Sequence, residues 1–194
     1  MKTLRTAAAM LFVIAGLGVI AFPWAKAWYY NGQRDYAINI WRQTKDGLPA
    51  EHGAAGVAAI PDIGDMIGVI TIDKIGLKAP ILEGTTKSNL DAGICSVIAG
   101  REMGRAGNYV LAGHKSRVRG THFSRLSEVS AGDIITLENS EGKFLYAVYE
   151  VFSVSPDETW VLENIDDRTI ATLITCDYRF NPINRLVVRG ELIE

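Results

Sequence analysis

The sequence comprises 194 residues, of which 48% are hydrophobic and 22% are charged, and its formal net charge is −2. These values are ordinary for a globular protein and leave enough chain for one domain with an appendage. The nearly neutral charge gives no sign of a nucleic-acid-binding protein, which would need a strongly basic surface. The chain shows no repeat or compositional bias, so function has to be inferred from particular residues.

An uncharged apolar stretch runs from Thr6 to Ala25, after a lysine and an arginine and before a cluster of tryptophans and tyrosines. Twenty helical residues span roughly 30 Å, the thickness of the hydrocarbon core of a bilayer, and aromatic residues favour its interfaces. We therefore predict a transmembrane anchor over residues 7–25, with residues 1–6 in the cytoplasm. The alternative is a cleaved signal peptide, because Ala25-Lys26-Ala27 resembles a small-x-small cleavage site.

Residues 26–65 are predicted to connect this anchor to a folded domain. From Asp35 to Lys45 apolar residues recur at helical spacing, which predicts a short amphipathic helix. Its apolar positions are Tyr36, Ala37, Ile40 and Trp41. The helix would lie on the lipid surface or pack against the folded domain, and we favour packing. Residues 46–65 are rich in glycine, alanine and proline without a period, which indicates a linker.

From residue 66 onward, short apolar runs alternate with turn signals, a pattern typical of an all-β barrel or sandwich. The predicted strands are Met66–Ile72, Ala79–Leu82, Ile94–Ala99, Asn108–Gly113, Asp133–Glu138, Phe144–Val154, Ile170–Cys176 and Arg185–Leu192. Between them we expect one helical turn capped by Thr86 or Ser88, and a short helical connection over 120–126. About eight strands with little helix favour a closed barrel, and we place this domain at residues 66–194.

The two cysteines, Cys95 and Cys176, show no spacing that suggests a zinc site. A disulfide between them is one possibility for a protein that works outside the cell. The preferred interpretation is two free thiols with unequal roles. Cys95 lies in an apolar strand without a histidine or arginine beside it, and it is interpreted as structural. Cys176 ends an apolar strand, where its thiol can be exposed.

Cys176, His114 and Arg185 each lie at the end of an apolar strand. An eight-residue loop joins Cys176 to Arg185, so a hairpin would bring their side chains to the same end of the sheet. Arg179, inside the loop, is the second candidate for the arginine. Arg189 is the third, because it lies about 13 Å further along the strand at roughly 3.3 Å per residue.

Thiol, imidazole and guanidinium together are the components of a thiol acyl-transfer site. The thiolate is the nucleophile, and a nearby cation raises its fraction above the few per cent present at pH 7. Histidine can protonate a leaving amine and deprotonate an incoming one, while arginine can stabilise an oxyanion. No acid is apparent to orient the histidine, which argues against a papain-like triad. His122 is the rival to His114 as the base.

Each of these residues also has an ordinary structural explanation when it is considered by itself. A cysteine at a strand end is more often a small buried hydrophobe than a nucleophile. A single histidine is usually a surface residue, and an arginine that opens a strand is usually a solvated edge charge. The catalytic interpretation therefore depends on whether the three side chains meet.

At these residues the sequence resembles the sortase family, membrane-anchored cysteine transpeptidases of mainly Gram-positive bacteria. Thr172-Leu173-Ile174-Thr175-Cys176 resembles the TLxTC signature of the family, and Arg185–Gly190 resembles its closing arginine strand. Further similar segments are Ile75–Ile81, Tyr109–His114, Phe123–Leu126 and Ala131–Asp133. The resemblance covers roughly residues 66–194 and implies an eight-stranded sortase β-barrel.

The resemblance implies that Cys176 attacks the threonyl carbonyl of an LPxTG-like sorting signal and forms a thioester. An amino group from a cell-wall precursor or a pilin lysine then takes the acyl group. His114 corresponds to the acid/base and Arg185 to the oxyanion stabiliser, and no cofactor is implied. The implied partners are surface proteins with a C-terminal sorting signal, the amine acceptor and membrane lipid, with no nucleic acid.

The connection between the sixth and seventh strands shapes the substrate groove in this family, and here it corresponds to Ser153–Arg168. The candidate substrate-binding residues are Thr175, Val154, Trp160, Val161 and Leu162. Some class A members bind calcium through acids in the loop before the histidine strand. Here residues 101–107 offer only Glu102, between Arg101 and Arg105, so we predict no bound metal and no calcium requirement.

The resemblance favours a class A-like or D-like member, anchored once in the cell membrane with its catalytic domain outside. Two other functions remain compatible with the same residues. A thiol peptidase would resolve the thioester with water instead of an amine. A non-catalytic, membrane-tethered binding domain would keep the barrel and not use the thiol.

Overall fold

The computed structural model describes residues 10, 16–19, 21, 22, 32, 34–45, 66–116, 118, 120–165, 167–180 and 183–194. The predicted cytoplasmic segment 1–6 and the predicted linker 46–65 lie outside the described residues, and so does most of the predicted anchor 7–25. None of the described helices is both long enough and apolar enough to cross a bilayer.

Eight strands are present in the described part of the chain, and they form a closed barrel. Their bounds are β1 (Met66–Ile72), β2 (Leu77–Glu83), β3 (Ile94–Ser96), β4 (Gly107–Ala112), β5 (Ile134–Glu138), β6 (Lys143–Val154), β7 (Thr169–Asp177) and β8 (Asn184–Leu192). The order around the barrel is β1-β2-β3-β4-β7-β8-β6-β5, and β5 pairs with β1 to close it. The predicted closed barrel is confirmed, although β2 begins two residues earlier than expected and β3 ends three residues earlier.

The barrel combines parallel and antiparallel pairing. β2 pairs with β3, and β4 with β7, in parallel, whereas the other described pairs are antiparallel. Between β4 and β7 the chain passes through β5 and β6 on another side of the barrel. This long crossover, which parallel strands require, brings the end of β4 next to the end of β7.

Helix α1, which includes residues 34–45, and helix α2, Lys87–Ala92, lie outside the barrel wall. Thr86 caps α2, because its side-chain oxygen accepts a hydrogen bond from the backbone nitrogen of Asn89 at 3.2 Å. This confirms Thr86 as the cap. The helical connection expected over 120–126 is displaced, since turns occupy most of that range and a short 3-10 helix follows at Leu126–Glu128.

The interior of the barrel is filled by aliphatic side chains with a few aromatic ones. Its buried members include Ile70, Ile72, Leu77, Ile81, Leu111, Phe123, Leu137, Tyr146, Leu173 and Val188. Inward-facing residues alternate with outward-facing ones along each strand, as a barrel requires. A functional site that needs access to solvent therefore has to use the strand ends or the outer face.

Helix α1 packs against the outside of the barrel. Ile38 is completely buried, and a second apolar cluster forms around it. The other members of this cluster are Met66, Val69, Leu82 and Cys95, with Trp41, Leu90 and Ala92 at its edge. Arg42 donates two hydrogen bonds to the carboxylate of Glu138, at 2.6 and 3.2 Å. Of the two placements considered, the structure shows packing on the domain, with Ile38 rather than Ile40 at the centre of the contact.

Replacing Ile38 with alanine is expected to lower the free energy of unfolding by about 2–4 kcal/mol, because buried methyl groups are lost and a cavity remains. Urea denaturation followed by circular dichroism measures this change. Asn39→Ala is the matched control, since Asn39 is the exposed next residue of the same helix, and its effect is expected to stay within about 0.5 kcal/mol. An unchanged urea midpoint for Ile38→Ala would show that α1 does not unfold together with the barrel.

Candidate active site

Cys176 lies on the outer face of β7, close to the turn that leads into β8. Ala171 and Leu173 belong to the interior core, so the alternation of side chains along a strand directs Cys176 to the opposite face. Its thiol is free and only partly buried. The sulfur is therefore available to a molecule that approaches the outside of the barrel.

Arg185 lies directly opposite Cys176 on the neighbouring strand. The antiparallel pairing of β7 with β8 matches Cys176 to Arg185, and the pairing of β6 with β8 matches Val154 to Arg185. Opposite residues in an antiparallel ladder have Cβ atoms about 4.5–5.5 Å apart. The Arg185 guanidinium donates long hydrogen bonds, at 3.3 and 3.4 Å, to the carbonyls of Ile183 and Asn184. The three matched side chains form one row across three strands.

His114 follows β4 and reaches the same place from the other side of β7. The parallel register matches Ala112 to Ile174, and the backbone nitrogen of Gly113 donates to the carbonyl of Ile174 at 3.1 Å. Extended by two residues beyond the pair of Ala112 with Ile174, the same register would place His114 beside Cys176. We call Val154, Arg185, Cys176 and His114 the catalytic row.

A hydrogen bond joins Thr175, which precedes Cys176, to Gly113, which precedes His114. Thr175 is buried, and its hydroxyl donates to the carbonyl of Gly113 at 2.8 Å. A substrate on the outer face would find almost no exposed surface of Thr175 to contact. The position therefore favours a role in holding the ends of β4 and β7 together over the substrate contact expected from the sequence.

A carboxylate that sequence analysis did not identify lies beside the histidine. Nε2 of His114 is 3.6 Å from Oδ1 of Asp91 in α2, and both side chains are about half exposed. Lys87 donates to Oδ2 of Asp91 at 2.6 Å, and this bond is the main cause of the lowered pKa of Asp91. Because exposed ion pairs contribute little energy, Asp91 orients the imidazole only weakly.

His122, the rival base, occupies the loop after β4. Its ring centroid is 6.2 Å from that of His114, and it borders a small cavity together with Arg34 and Pro80. Its backbone has a φ of +45°, a value unusual for a residue other than glycine. Burial is the main cause of its lowered pKa. His114, and not His122, is the histidine that the strand register brings to Cys176.

The two other candidate arginines are engaged elsewhere. Arg179 binds the carboxylate of Asp177 through hydrogen bonds of 2.6–3.1 Å, which lowers the pKa of Asp177 to about 2. Arg189 is buried, and its guanidinium carbon lies 5.0 Å from the centroid of the Trp160 ring. Of the three arginines considered, Arg185 is the one in the catalytic row.

An apolar surface adjoins the catalytic row on the outer face of the barrel. Its buried members are Val154, Val161 and Val187, with Phe152, Leu162 and Ile174 packed against them. Trp160 is 44% exposed and stacks on Phe152, with ring centroids 5.6 Å apart. Of the five predicted substrate-binding residues, Trp160 is exposed and Leu162 partly exposed at this surface. Val154 and Val161, at 5% and 4% exposure, are buried beneath it, as Thr175 is within the domain. We call this surface the apolar groove.

The segment before β4 contains two ion pairs and one arginine with backbone partners. Glu102 lies 3.5 Å from Arg105, which also pairs with Glu141 at 3.1 Å. Arg101 donates to two backbone carbonyls instead. Within the described residues, no group of three histidine, cysteine, aspartate or glutamate side chains could hold a metal ion. The absence of a calcium requirement stays a prediction.

Cys95 occupies a different environment from Cys176. It is completely buried on β3, beneath α1, and burial raises the pKa of its thiol to about 11. Both cysteines are free, so the disulfide considered from the sequence does not form. A thiol that is buried and hard to ionise suits the structural role predicted for Cys95.

Comparison with known proteins connects this geometry to one family. The model of the sortase domain matches residues 70–193. Sortase A of Bacillus anthracis is 38% identical over 128 residues, which are 66% of this chain and 60% of that protein. Sortase A of Listeria monocytogenes is 34% identical over 145 residues, which are 75% and 64% of the two chains. The chain thus spans less than two thirds of the length of these curated relatives.

Solved structures show the same fold. A sortase D5 transpeptidase from Clostridium perfringens superposes with a TM-score of 0.66 at 26% sequence identity, covering 84% of this chain and 99% of that one. The likeness to both sortase A and sortase D proteins agrees with the class A-like or D-like character that the sequence suggested.

Proposed function

Since this chain belongs to the sortase family, we propose that it is a cysteine transpeptidase that cleaves an LPxTG-like sorting signal between threonine and glycine. The observation that carries the proposal is the catalytic row, in which Cys176 pairs directly with Arg185 and the β4–β7 register brings His114 alongside. The apolar groove continues from this row, and its exposed Trp160 and partly exposed Phe152 and Leu162 offer a surface for the apolar part of a peptide.

In the first step, the Cys176 thiolate attacks the threonyl carbonyl carbon, and the carbonyl oxygen takes up the negative charge. Arg185 holds its own charge at any working pH and can donate to this oxyanion from the adjacent strand. The carbon–nitrogen bond to glycine then breaks, and the imidazolium of His114 supplies the proton to the departing amine. The products are a thioester on Cys176 and a free glycine end.

The second step runs the same chemistry with a new amine. Neutral His114 accepts a proton from the incoming amine as its nitrogen attacks the thioester carbonyl, and Arg185 again faces the oxyanion. When the tetrahedral intermediate collapses, the sulfur leaves as a thiolate and an amide bond forms. The cycle returns the enzyme to its starting state, and none of its steps needs a cofactor.

The proposed acyl donors are surface proteins with a C-terminal sorting signal, and the acceptor is an amino group of a cell-wall precursor or a pilin lysine. Substrates of this kind lie outside the cell, at the membrane surface. We therefore place the enzyme in the cell membrane, held by a single N-terminal span at residues 7–25 with its catalytic domain outside. The uncharged stretch from Thr6 to Ala25, which can contact lipid, supports this placement.

The test uses the full-length chain in detergent, an LPxTG-containing peptide and an oligoglycine or lysine amine, with products identified by mass spectrometry. We expect a ligated product that carries the acceptor amine, together with a transient thioester on Cys176. A free threonyl acid as the only product, at saturating amine, would favour the thiol peptidase. Binding of the peptide without any thioester or cleavage would favour the non-catalytic domain.

A further inference from the structure

The connection between β6 and β7 is held in place by side chains that lie outside it. Val161 and Leu162 end a short 3-10 helix, Thr159–Leu162, and Glu163 follows it. The carbonyl of each of these three residues accepts a hydrogen bond. The main donors are Asn108, at the start of β4, and Arg101, in the segment that precedes β4. Arg189 of β8 also donates to the Val161 carbonyl, at 3.5 Å. A loop on the surface is thus tied to the barrel wall through three consecutive backbone groups.

Asn108 contributes two of these hydrogen bonds, and it is 1% exposed. Its side-chain nitrogen donates to the carbonyls of Val161 at 3.0 Å and Glu163 at 2.9 Å. Its side-chain oxygen accepts from the Thr172 hydroxyl at 2.6 Å, and its backbone nitrogen donates to Oδ1 of Asn164 at 3.0 Å. Both donor hydrogens and the acceptor of the amide are used, as a buried amide requires.

Arg101 adds a charged donor at the same place. Its Nη1 donates to the carbonyl of Leu162 at 2.6 Å and to the carbonyl of Asn108 at 2.8 Å. Hydrogen bonds from a charged donor are stronger than those between neutral groups. Arg101 therefore joins the loop to the backbone of β4, next to the side-chain contacts of Asn108.

We propose that Arg101 and Asn108, the loop clamp, are positioning residues that hold Trp160 and Leu162, packed over the buried Val161, as a ready-made wall of the apolar groove. The inference rests on the proposed function, because it concerns how the groove receives a peptide. A wall that is already ordered spares the peptide the entropy cost of ordering it.

The clamp is also connected to the strand that bears the nucleophile. Thr172, which donates to Asn108, precedes Cys176 by four residues on β7 and faces the same outer side of the barrel. Among the described residues, the hydrogen bonds of the clamp side chains go to loop carbonyls, to the β4 backbone and to Thr172, and none goes to a residue of the catalytic row. The clamp residues are therefore expected to act on peptide binding and to leave the chemical step unchanged.

The test replaces Arg101 with methionine, which keeps an unbranched apolar stem and removes the guanidinium. Amide hydrogen exchange over residues 155–165 is expected to accelerate about fivefold to tenfold, because the loop opens more often without its donor. KM for the sorting peptide is expected to rise by about the same factor, while kcat stays within about twofold. Arg101→Lys, which restores a charged donor, is expected to recover part of both effects.

Arg105→Met is the matched control, since Arg105 belongs to the same segment but pairs with Glu102 and Glu141 on the surface. It is expected to match the wild type in loop exchange and in KM.

A second pair of variants separates the donor nitrogen of the Asn108 side-chain amide, which binds the loop, from its acceptor oxygen, which binds Thr172. Asn108→Ala removes the donors to the loop and is expected to raise KM, whereas Thr172→Val leaves those donors in place and is expected to keep KM within about twofold.

Wild-type exchange and wild-type KM in Arg101→Met would overturn the proposal. A fall in kcat at unchanged KM would also overturn it, because the residue would then act on the chemical step. Equal effects in Arg105→Met would assign the change to surface charge and likewise overturn it. Hydrogen exchange needs no substrate, so a wild-type protein that turns over no peptide would refute the proposed function while the exchange comparison still decides on the clamp.

Discussion

The Cys176→Ala protein is expected to form neither the thioester nor the ligated product, with kcat/KM lower by at least about 10⁴-fold. The reason is that both half-reactions pass through a bond to this sulfur, and no other group in the catalytic row is a nucleophile of comparable strength. Incubation of the full-length variant with sorting peptide and amine, followed by chromatography of the products, measures the loss. Intact mass spectrometry tests for the acyl adduct on the protein.

The matched control is Cys95→Ala, which removes the other thiol of the chain. Cys95 is buried beneath α1, with a thiol pKa raised to about 11, so it is expected to take no part in turnover. We expect wild-type kcat and KM, with a free energy of unfolding lower by about 1 kcal/mol from the lost packing. Residual ligation by Cys176→Ala, or loss of the adduct in a folded Cys95→Ala protein, would contradict this division of roles.

The relation between Cys176 and Arg185 was the part of the site most accessible from the sequence. Two apolar runs joined by a short loop predict an antiparallel hairpin, and a hairpin has a register that can be estimated from its loop. The structure shows the two residues as a direct pair. The same argument correctly placed Arg189 further along β8, away from the thiol.

The approach of His114 could not be derived in that way. It depends on the parallel pairing of β4 with β7, which no local turn specifies, because two other strands lie between them in the chain. The only sequence signal for His114 was its position at the end of an apolar strand. Its assignment as the acid/base came from the resemblance to the sortase family.

The side-chain contacts that support the site left no local signal at all. Asp91 follows Lys87 by one helical turn and reads as half of an ordinary surface ion pair. In the sequence, Asn108 is simply a polar residue at the beginning of a predicted strand. Ile38 lies between Ala37 and Ile40, two of the positions predicted to form the apolar face of its helix. Each acquires its role from a partner far away in the sequence, and such pairings are set by the tertiary fold.

Replacing Arg185 with alanine is expected to lower kcat by about 10²–10³-fold, the usual cost of removing a donor to an oxyanion. KM is expected to change by less than about threefold, because the charge that Arg185 meets develops only in the transition state. Steady-state ligation kinetics with the sorting peptide separate the two constants. Arg185→Lys keeps the charge but loses the planar fork of donors, so its kcat is expected to lie between those of the wild type and the alanine variant.

Arg179→Ala is the control for this prediction, because Arg179 is closer than Arg185 to Cys176 in sequence but binds Asp177 instead of facing the catalytic row. Its kcat is expected to stay within about fivefold of the wild type. A large loss of kcat in Arg179→Ala together with a near-normal Arg185→Ala would exchange the two assignments. Full activity in both would mean that the oxyanion is stabilised by other donors, and the direct pairing of Arg185 with Cys176 would then serve only the β7–β8 hairpin.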